Sequence, residues 1–230
     1  MINFPAAIAA VFPSWTPLNN AILLTPHDDL AIATVVSQLI TIYSGAGVNS
    51  WALWIRSKIT DLYASDTGCE VSGLQRDTTT LMMQATLHSQ LRQHEGVVPT
   101  SIGAATRATD EPIRSADLEP PDDAPGLTGW VILHDDVAVA GAWSFINQRE
   151  CGLYAIGTQP EWRRRGIGRA LTEHVLAAAW RRGARVASLQ ATRMGQPLYA
   201  SLGFLPVGRY DEWMYNDAEH HRVHESSILI

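Results

Sequence analysis

The chain has 230 residues, of which 46% are hydrophobic and 17% charged, enough apolar residues to bury the core of one large domain or two small ones. Its 17 lysines and arginines against 23 aspartates and glutamates give a formal net charge of −6, which argues against a general binder of nucleic acid or anionic membranes. Any anion must therefore be bound by a local cluster of positive groups.

The cysteine content and the N-terminal segment indicate the cellular setting. Cys69 and Cys151 are the 2 cysteines, too few for a disulfide framework or a complete zinc site, which is typical of a reducing compartment. The segment "MINFPAAIAAVF" has no basic residue before its apolar ones, and no apolar run approaches the ~20 residues of a membrane span. We therefore expect a cytoplasmic protein that binds neither nucleic acid nor membrane.

The first half of the chain predicts a helix, two strands and a linker. Apolar residues recur at helical spacing over residues 28–43, and "SGAG" follows as a stop. "SWALWI" (50–55) and "TTTLMMQATL" (78–87) are typical of strands, with a short helix over 58–65 between them. Over residues 96–126 the composition shifts to Pro, Asp, Ala and Thr, which predicts a linker with room for one short helix.

The second half predicts a mixed sheet. "GWVILHDDVAVAGAWSFIN" is typical of a hairpin that turns at Asp135 and Asp136, and "CGLYAIGTQ" predicts a third strand. The next predicted elements are a helix over "IGRALTEHVLAAAWRRG" with Gly183 as its stop, a strand over 185–190, a short helix over 196–203, and two short strands or a hairpin over 206–215. The order β-β-β-α-β-α-β-β predicts a mixed α/β (α+β) fold rather than an all-parallel sheet.

Three arginines stand directly before a Gly-x-Gly in "PEWRRRGIGRAL" (160–171), at the predicted junction of strand and helix. A helix start exposes unpaired backbone N–H groups at the positive end of the helix dipole, so such a turn can hold an anion. Gly166 and Gly168 would let the backbone approach a phosphate, and the arginines at 163–165 can add charge-assisted contacts. The alternative is a solvated helix start after a simple glycine turn.

Two familiar phosphate motifs are absent from the sequence. A P-loop requires GxxxxGK[ST], which does not occur. A dinucleotide fingerprint requires GxGxxG after a strand, whereas "GAGVNS" follows a predicted helix.

The segments "GLYAIGTQPEWRRRGIGRAL" and "ASLQATRMGQPLYASLGF" together resemble the GNAT superfamily of N-acetyltransferases, which use acetyl-coenzyme A. Arg163-x-x-Gly166-x-Gly168 fits that family's [QR]xxGx[GA] pyrophosphate signature, and "LYASLGF" fits a later helix-and-turn element. A helix and a strand separate the two signatures, as that fold requires. The resemblance covers residues 127–215 and implies a GNAT-like mixed central sheet with flanking helices.

The resemblance also implies where coenzyme A binds. The end of the strand before the turn would pair with the pantetheine arm through its backbone, and the turn would hold the diphosphate mainly through backbone N–H groups. Thr192 stands where many relatives have an asparagine, so its contact departs from the family pattern. The candidate cofactor-binding residues are Ile156, Gly157, Thr158, Arg163, Arg164, Arg165, Gly166, Ile167, Gly168, Arg169 and Thr192.

Tyr199 matches the tyrosine that, in many relatives, protonates the departing thiolate. Its ordinary pKa of about 10 lies near that of a thiol, which suits a general acid; the alternative is a core aromatic of a short amphipathic helix. A general base is harder to assign, because neither strand expected to flank the cofactor contains Asp or Glu. Glu150, Asp211, Glu212 and His134 remain candidates, and a neutral nucleophile would need no dedicated base.

A short internal repeat bears on the first half of the chain. "LYASDTGCEVSG" (62–73) resembles "LYASLGFLPVG" (198–208), which suggests a duplication in which residues 28–87 match the final half of a GNAT domain. The corresponding helix starts with "PHDDL", and carboxylates there repel a diphosphate. We therefore expect one functional cofactor site, in the second half.

The expected organisation is a tandem one. We expect a degenerate GNAT-like half over 1–95, a linker over 96–126, a catalytic GNAT domain over 127–217 and a tail over 218–230. In the tail, His220 and His224 are four residues apart, but no third ligand is evident, so no metal site is expected.

The predicted function is acetyl-CoA-dependent N-acetyl transfer to the primary amine of a small molecule, by direct attack. One alternative is a non-catalytic acyl-CoA-binding module, in which the missing strand carboxylate reflects lost chemistry. Another is acetylation of a protein or peptide, which the acidic chain allows without favouring it. The expected partner is a small-molecule amine acceptor, and a homodimer is possible.

Overall fold

The computed structural model describes residues 2–3, 7–11, 20–23, 29–57, 72–109 and 125–216. The chain divides into two compact units. Unit 1 comprises Met1–Leu81 and Val207–Ile230, and unit 2 comprises Met82–Pro206. Among the described helices, none combines the length and apolar character needed to cross a membrane.

In its described residues, unit 1 is a mixed sheet packed on a helix. Its elements are β1 (Ile2–Asn3), β2 (Ala7–Ala9), β3 (Asn20–Leu23), α1 (Asp29–Gly45), β4 (Ser50–Ser57) and parts of β5 (Gln75–Thr86) and β11 (Leu205–Asn216). The strand order is β1-β2-β3-β4-β11. The β3–β4 pair is parallel, and the β1–β2, β2–β3 and β4–β11 pairs are antiparallel.

The helix α1 forms because its apolar residues recur at helical spacing and bury one stripe on the sheet. That stripe is Ile32, Val35, Val36, Leu39 and Tyr43. The ring of Trp51 lies between those of Tyr43 and Tyr215, with centroid distances of 4.9 and 5.1 Å. The predicted helix over 28–43 is thus confirmed, running two residues further to Gly45.

Unit 2 is also built on a mixed sheet. Its further elements are β6 (Val97–Thr100), α2 (Ile102–Arg107), β7 (Leu127–His134), β8 (Val137–Asn147), β9 (Glu150–Thr158), a 3₁₀ turn (Pro160–Trp162), α3 (Ile167–Arg181), β10 (Val186–Ala191) and α4 (Gln196–Ser201). The strand order is β5-β10-β9-β8-β7-β6, in which β9 and β10 are parallel. The apolar face of α3 is buried through Leu171, Val175, Leu176 and Ala179.

Two turns of unit 2 follow directly from local sequence. The β7–β8 hairpin turns at Asp135 and Asp136, both with positive φ (48° and 63°), as a two-residue hairpin loop requires. After α3, Gly183 takes φ +99°, and the N–H of Ala184 donates to Ala179 O at 3.0 Å, closing the helix in a Schellman motif. Both predicted turns are confirmed.

The predicted domain boundaries are wrong in two places. Residues 97–100, assigned to a linker, form β6, which pairs with β7. The short helix for which the linker left room is α2, where the Ser101 hydroxyl accepts from Ala104 N. The two short strands expected over 206–215 are the single strand β11. From Arg209 to Asn216 this strand pairs with β4, so it belongs to unit 1 and not to the domain predicted over 127–217.

Unit 1 contains the same strand–helix–strand arrangement as the cofactor-binding half predicted for unit 2. In both, two parallel strands flank one helix: β3-α1-β4 in unit 1 and β9-α3-β10 in unit 2. This supports the predicted duplication. The helix expected over 58–65, the "LYAS" copy at 62–65 and the tail from residue 218 lie outside the described residues.

A comparison of Gly183 with Gly45 separates the effect of backbone conformation on stability from the effect of packing. A Cβ added to Gly183 or to Gly45 would meet no heavy atom within 4 Å, but Gly183 has φ +99° whereas Gly45 is helical. We expect Gly183→Ala to lower the free energy of unfolding by about 1 kcal/mol and Gly45→Ala to raise it by about 0.5 kcal/mol. Urea unfolding measures both, and equal effects would contradict the left-handed stop.

Candidate functional site

The strand β9 extends past its parallel neighbour β10. The pairs between the two strands run from Glu150–Val186 to Leu153–Leu189, so residues 154–158 lie beyond the last pair. On its other side, β9 stays paired with β8 up to Thr158, across a bulge at which Ala155 has φ +47°. The end of β9 therefore presents a strand edge to which an extended ligand could pair. Three predicted contacts, at residues 156–158, lie on this edge.

The turn after β9 gathers backbone N–H groups. Arg164 and Gly166 both have left-handed φ values, 62° and 80°. Gly166 caps α3 without a side-chain hydrogen bond, and the first helical bond runs from Ala170 N to Gly166 O at 3.0 Å. The N–H groups of residues 167–169 are thus the unpaired donors of a helix start, at the positive end of its dipole.

The four arginines of this segment have different roles in the structure. Arg163 Nε donates to Thr158 O at 3.1 Å and so ties the turn to the end of β9. Arg165 lies over the ring of Trp162 at 4.9 Å, and Arg164 is exposed. The Arg169 guanidinium is bonded to Glu173 and to Ser201. The backbone amides, more than a shared guanidinium cluster, could therefore hold an anion at this turn, which we call the anion cradle.

The two glycines of the turn differ in what they require. Gly166 needs its left-handed backbone, although a Cβ there would meet nothing within 4 Å. A Cβ on Gly168 would lie 3.5 Å from Thr158 Oγ1 and 3.6 Å from Leu198 Cδ2, both ordinary contacts. Gly168 therefore marks the point where the end of β9, the start of α3 and the side of α4 come together.

Tyr199 lies on α4, buried at 7% exposure, with its ring edge-on to that of Phe204 at 6.0 Å. Gly195 leaves room for it, since a Cβ there would lie 2.8 Å from Tyr199 Cε2. Thr192 lies in the turn before α4: its carbonyl accepts from Gly195 N and Gln196 N at 3.0 and 3.1 Å, and its hydroxyl accepts from Gly195 N at 3.3 Å. The oxygens of Thr192 are thus used within its own turn.

Two of the candidate bases lie in unit 2, and neither joins the elements that meet at Gly168. Glu150 begins β9, eight residues before Thr158, or about 26 Å away along an extended strand. The His134 ring lies 4.3 Å from that of Trp162, while its Nδ1 lies 3.2 Å from Asp135 Oδ2. His134 therefore flanks the 3₁₀ turn.

Asp211 and Glu212 belong to unit 1. Asp211 is buried and accepts from Arg76 Nη2 at 2.6 Å, Thr79 Oγ1 at 2.7 Å and Arg209 Nε at 3.1 Å. Burial alone would raise its pKa, but these hydrogen bonds and positive charges hold the pKa of Asp211 below its ordinary value. Asp211 is thus held ionised, and its oxygens are occupied by donors.

Glu212 has the opposite electrostatic setting. It lies opposite Trp54 in the β4–β11 pairing. Desolvation, with a smaller contribution from the charge of Asp77, raises the pKa of Glu212 to about 7. Glu212 could therefore exchange a proton near neutral pH, within unit 1.

Sequence patterns missed two features of this region. The bulge at Ala155 depends on the register of β8 and β9, which no local motif signals. Glu173, on the second turn of α3, is bonded to both His94 and Arg169. The sequence signal for the contact between Glu173 and Arg169 was their spacing of four residues on a predicted helix. Within the described ranges, no group of three or more His, Cys, Asp and Glu residues is arranged to hold a metal ion.

One segment of the chain matches a family model. Residues 125–206 match the model described as "Acetyltransferase (GNAT) domain". This range includes the end of β9, the turn, α3 and α4. No curated protein matches the chain.

Solved structures share the fold at low sequence identity. A GCN5-related N-acetyltransferase from Kribbella flavida is 18% identical, with a TM-score of 0.63 over 86% of this chain and 81% of that one. A conserved protein of unknown function from Staphylococcus epidermidis is 10% identical, with a TM-score of 0.68 over 94% and 93% of the two chains. A tandem GNAT protein from the clavulanic acid biosynthesis pathway is 13% identical, with a TM-score of 0.58 over 86% and 75%. At these identities the likeness shows the fold, including its mixed central sheet.

The raised pKa of Glu212 predicts a pH-dependent stability. Its carboxyl group titrates near 7 in the folded protein and near 4.5 ordinarily, so its folding contribution is favourable at low pH and is lost as pH rises through 7. We expect Glu212→Gln to exceed the wild type in unfolding free energy by about 1–3 kcal/mol at pH 8 and to match it near pH 4. Urea unfolding at the two pH values measures this difference.

The adjacent Asp211 is the matched control, because its pKa is lowered rather than raised. Asp211→Asn should lower the free energy of unfolding at pH 8 and leave it unchanged at low pH. Its effect at pH 8 is thus opposite in sign to that of Glu212→Gln. A Glu212→Gln variant whose stability follows the wild type at both pH values would show that Glu212 has its ordinary pKa.

Proposed function

We propose that the protein, whose residues 125–206 match the model of a GNAT acetyltransferase domain, transfers the acetyl group of acetyl-coenzyme A to the primary amine of a small molecule. The domain match supports acyl-CoA-dependent acetyl transfer in general. The small-molecule amine and the residue roles below are our proposal.

The observation that carries the proposal is the continuity of two binding features. Residues 154–158 of β9, beyond the last pair with β10, lead directly, through Arg163, into the amide donors at the start of α3. Coenzyme A has a matching order of groups: an amide-containing pantetheine arm followed by a diphosphate. Residues 156–158 would pair with the arm, and the N–H groups of residues 167–169 would hold the diphosphate.

The bound cofactor would supply the acetyl group as a thioester, and the protein would supply orientation and one proton. Backbone N–H groups near Ile156 and Gly157 would donate to the carbonyl oxygen as it gains negative charge. Tyr199 would donate its hydroxyl proton to the departing thiolate sulfur. Burial beside Phe204 holds the ring in one orientation.

The proposed transfer balances without a dedicated base. The nitrogen of a neutral amine forms a bond to the acetyl carbon, the carbon–sulfur bond breaks, and the amine proton passes to water. Tyr199 protonates the sulfur and is reprotonated from solvent. This scheme follows from the positions of Glu150 and His134, neither of which lies where the end of β9, α3 and α4 meet.

The direct test is thiol release from acetyl-CoA in the presence of a panel of small amines, with a basic peptide included as a competing acceptor. We expect release with at least one small amine and formation of the corresponding amide, identified by mass spectrometry. Tight binding of coenzyme A with no transfer to any acceptor would overturn the enzymatic proposal, and transfer to the peptide alone would overturn its substrate class.

Gly166 and Gly168 should matter more for coenzyme A binding than the exposed Arg164. We expect Gly166→Ala, which forces a side chain into the left-handed region, to weaken binding about tenfold, and Gly168→Val to be at least as harmful because its methyl groups press on Thr158 and Leu198. Gly168→Ala should be tolerated. Isothermal titration with coenzyme A measures each dissociation constant.

The matched comparison is Arg164→Ala, which removes an exposed guanidinium and leaves the amides in place. We expect this variant to weaken binding only about twofold. A larger loss for Arg164→Ala than for Gly166→Ala would show that guanidinium charge, and not backbone N–H, holds the ligand.

Replacing Tyr199 by Phe keeps the ring against Phe204 and removes the proposed acid. We expect kcat to fall by about 10²-fold, with a much smaller change in the KM for acetyl-CoA and in the melting temperature. Steady-state kinetics on the best amine measure both constants. A variant with wild-type kcat would show that Tyr199 is a packing residue.

A further inference from the structure

The side chain of Arg169 turns away from the anion cradle that its own backbone helps to form. Its Nη1 donates to Glu173 Oε1 at 2.9 Å, one helical turn towards the C-terminus. Its Nη2 donates to Ser201 Oγ at 2.7 Å and to Ser201 O at 3.3 Å. One guanidinium therefore joins the first two turns of α3 to the last residue of α4.

The Glu173 carboxylate is itself fixed on both oxygens. Oε1 accepts from Arg169, and Oε2 lies 2.7 Å from Nε2 of His94, in the segment before β6. Burial alone would raise the pKa of Glu173, but the hydrogen bonds from His94 and Arg169 hold it below its ordinary value. The carboxylate is thus ionised and oriented, which makes the Arg169 pair part of a network and not an isolated surface contact.

Ser201 is where this network reaches the helix that carries Tyr199. The helix α4 has 6 residues, too few to be stable by itself, so its ends depend on outside contacts. Thr192 accepts from the first N–H groups of this segment, and Arg169 donates to the carbonyl at its last residue, where a cation is favourable. Ser201 Oγ also donates to Leu198 O at 2.6 Å, in the turn that contains Tyr199.

We infer that the Arg169 side chain is a positioning residue that fastens α4 and Tyr199 to the start of α3, and that it is not a ligand of the diphosphate. The inference rests on the proposed function for the roles of Tyr199 and the cradle. Both terminal nitrogens of the guanidinium are bonded, Nη1 to Glu173 and Nη2 to Ser201. The backbone N–H of Arg169 remains part of the cradle in either arrangement.

Four variants test this. Arg169→Ala removes the connection, and Arg169→Lys keeps the positive charge without the planar fork that reaches two partners. Ser201→Ala removes the nearer acceptor on α4. Arg181→Ala removes an exposed arginine from the last turn of the same helix and controls for the change in net charge. For each, we would measure kcat, the dissociation constant of coenzyme A and hydrogen exchange at the amides of α4.

We expect Arg169→Ala and Arg169→Lys both to lower kcat about tenfold while the dissociation constant of coenzyme A changes less than about threefold. The α4 amides should exchange faster in both variants. Ser201→Ala should reduce kcat, and Arg169→Ala combined with it should be no worse than Arg169→Ala alone, because both remove one interaction. Arg181→Ala should match the wild type in all three measurements.

Two results would overturn the inference. One is a tenfold or greater weakening of coenzyme A binding in Arg169→Ala that Arg169→Lys restores, because this would make Arg169 a phosphate ligand. The other is unchanged hydrogen exchange in α4 of Arg169→Ala. If the wild type transfers acetyl to no amine, the proposed function fails, but coenzyme A affinity and hydrogen exchange still decide whether Arg169 fastens α4.

Discussion

The start of α3 is the constraint on which the candidate site depends. A helix start leaves backbone N–H groups without partners, and α3 begins at a left-handed glycine that offers no side chain to satisfy them. In unit 2 the start of α3 follows the end of β9, where residues 154–158 lie beyond the last pair with β10. An open strand edge and a set of unused amide donors thus become neighbours, and both favour a ligand with amides at one end and phosphates at the other.

In the proposed function, this arrangement would let an acidic protein bind a polyanion. The chain has a formal net charge of −6, so its overall field does not favour phosphate. The donors at the turn are backbone groups whose direction is set by the fold, and they need no excess of positive side chains. The arginines around them secure the structure instead: Arg163 is bonded to Thr158 and Arg169 to Ser201. The side chains of Arg163 and Arg169 therefore serve largely to hold the end of β9 and the helix α4 in place.

The two units make different use of one arrangement. Each places a helix between two parallel strands, β3-α1-β4 in unit 1 and β9-α3-β10 in unit 2. In unit 1 the helix serves a dense aromatic core, with Trp51 stacked between Tyr43 and Tyr215. In unit 2 the helix start is a glycine turn with open amides. We interpret the two units as copies of one strand–helix–strand arrangement. Unit 1 uses its helix for packing, and unit 2 has the candidate ligand site.

The sequence by itself predicted most helices and turns of unit 2 and its resemblance to the GNAT family, because those depend on local patterns. Gly183 stops α3, Asp135 and Asp136 turn the hairpin, and the Arg163-x-x-Gly166-x-Gly168 spacing predicted the glycine turn before α3, each through short-range backbone preferences. Only the tertiary structure decided which residues meet. The pairing of β11 with β4, the bulge at Ala155 and the bonds from Arg169 to Ser201 join parts of the chain whose contact depends on strand register and helix packing, which local sequence does not encode.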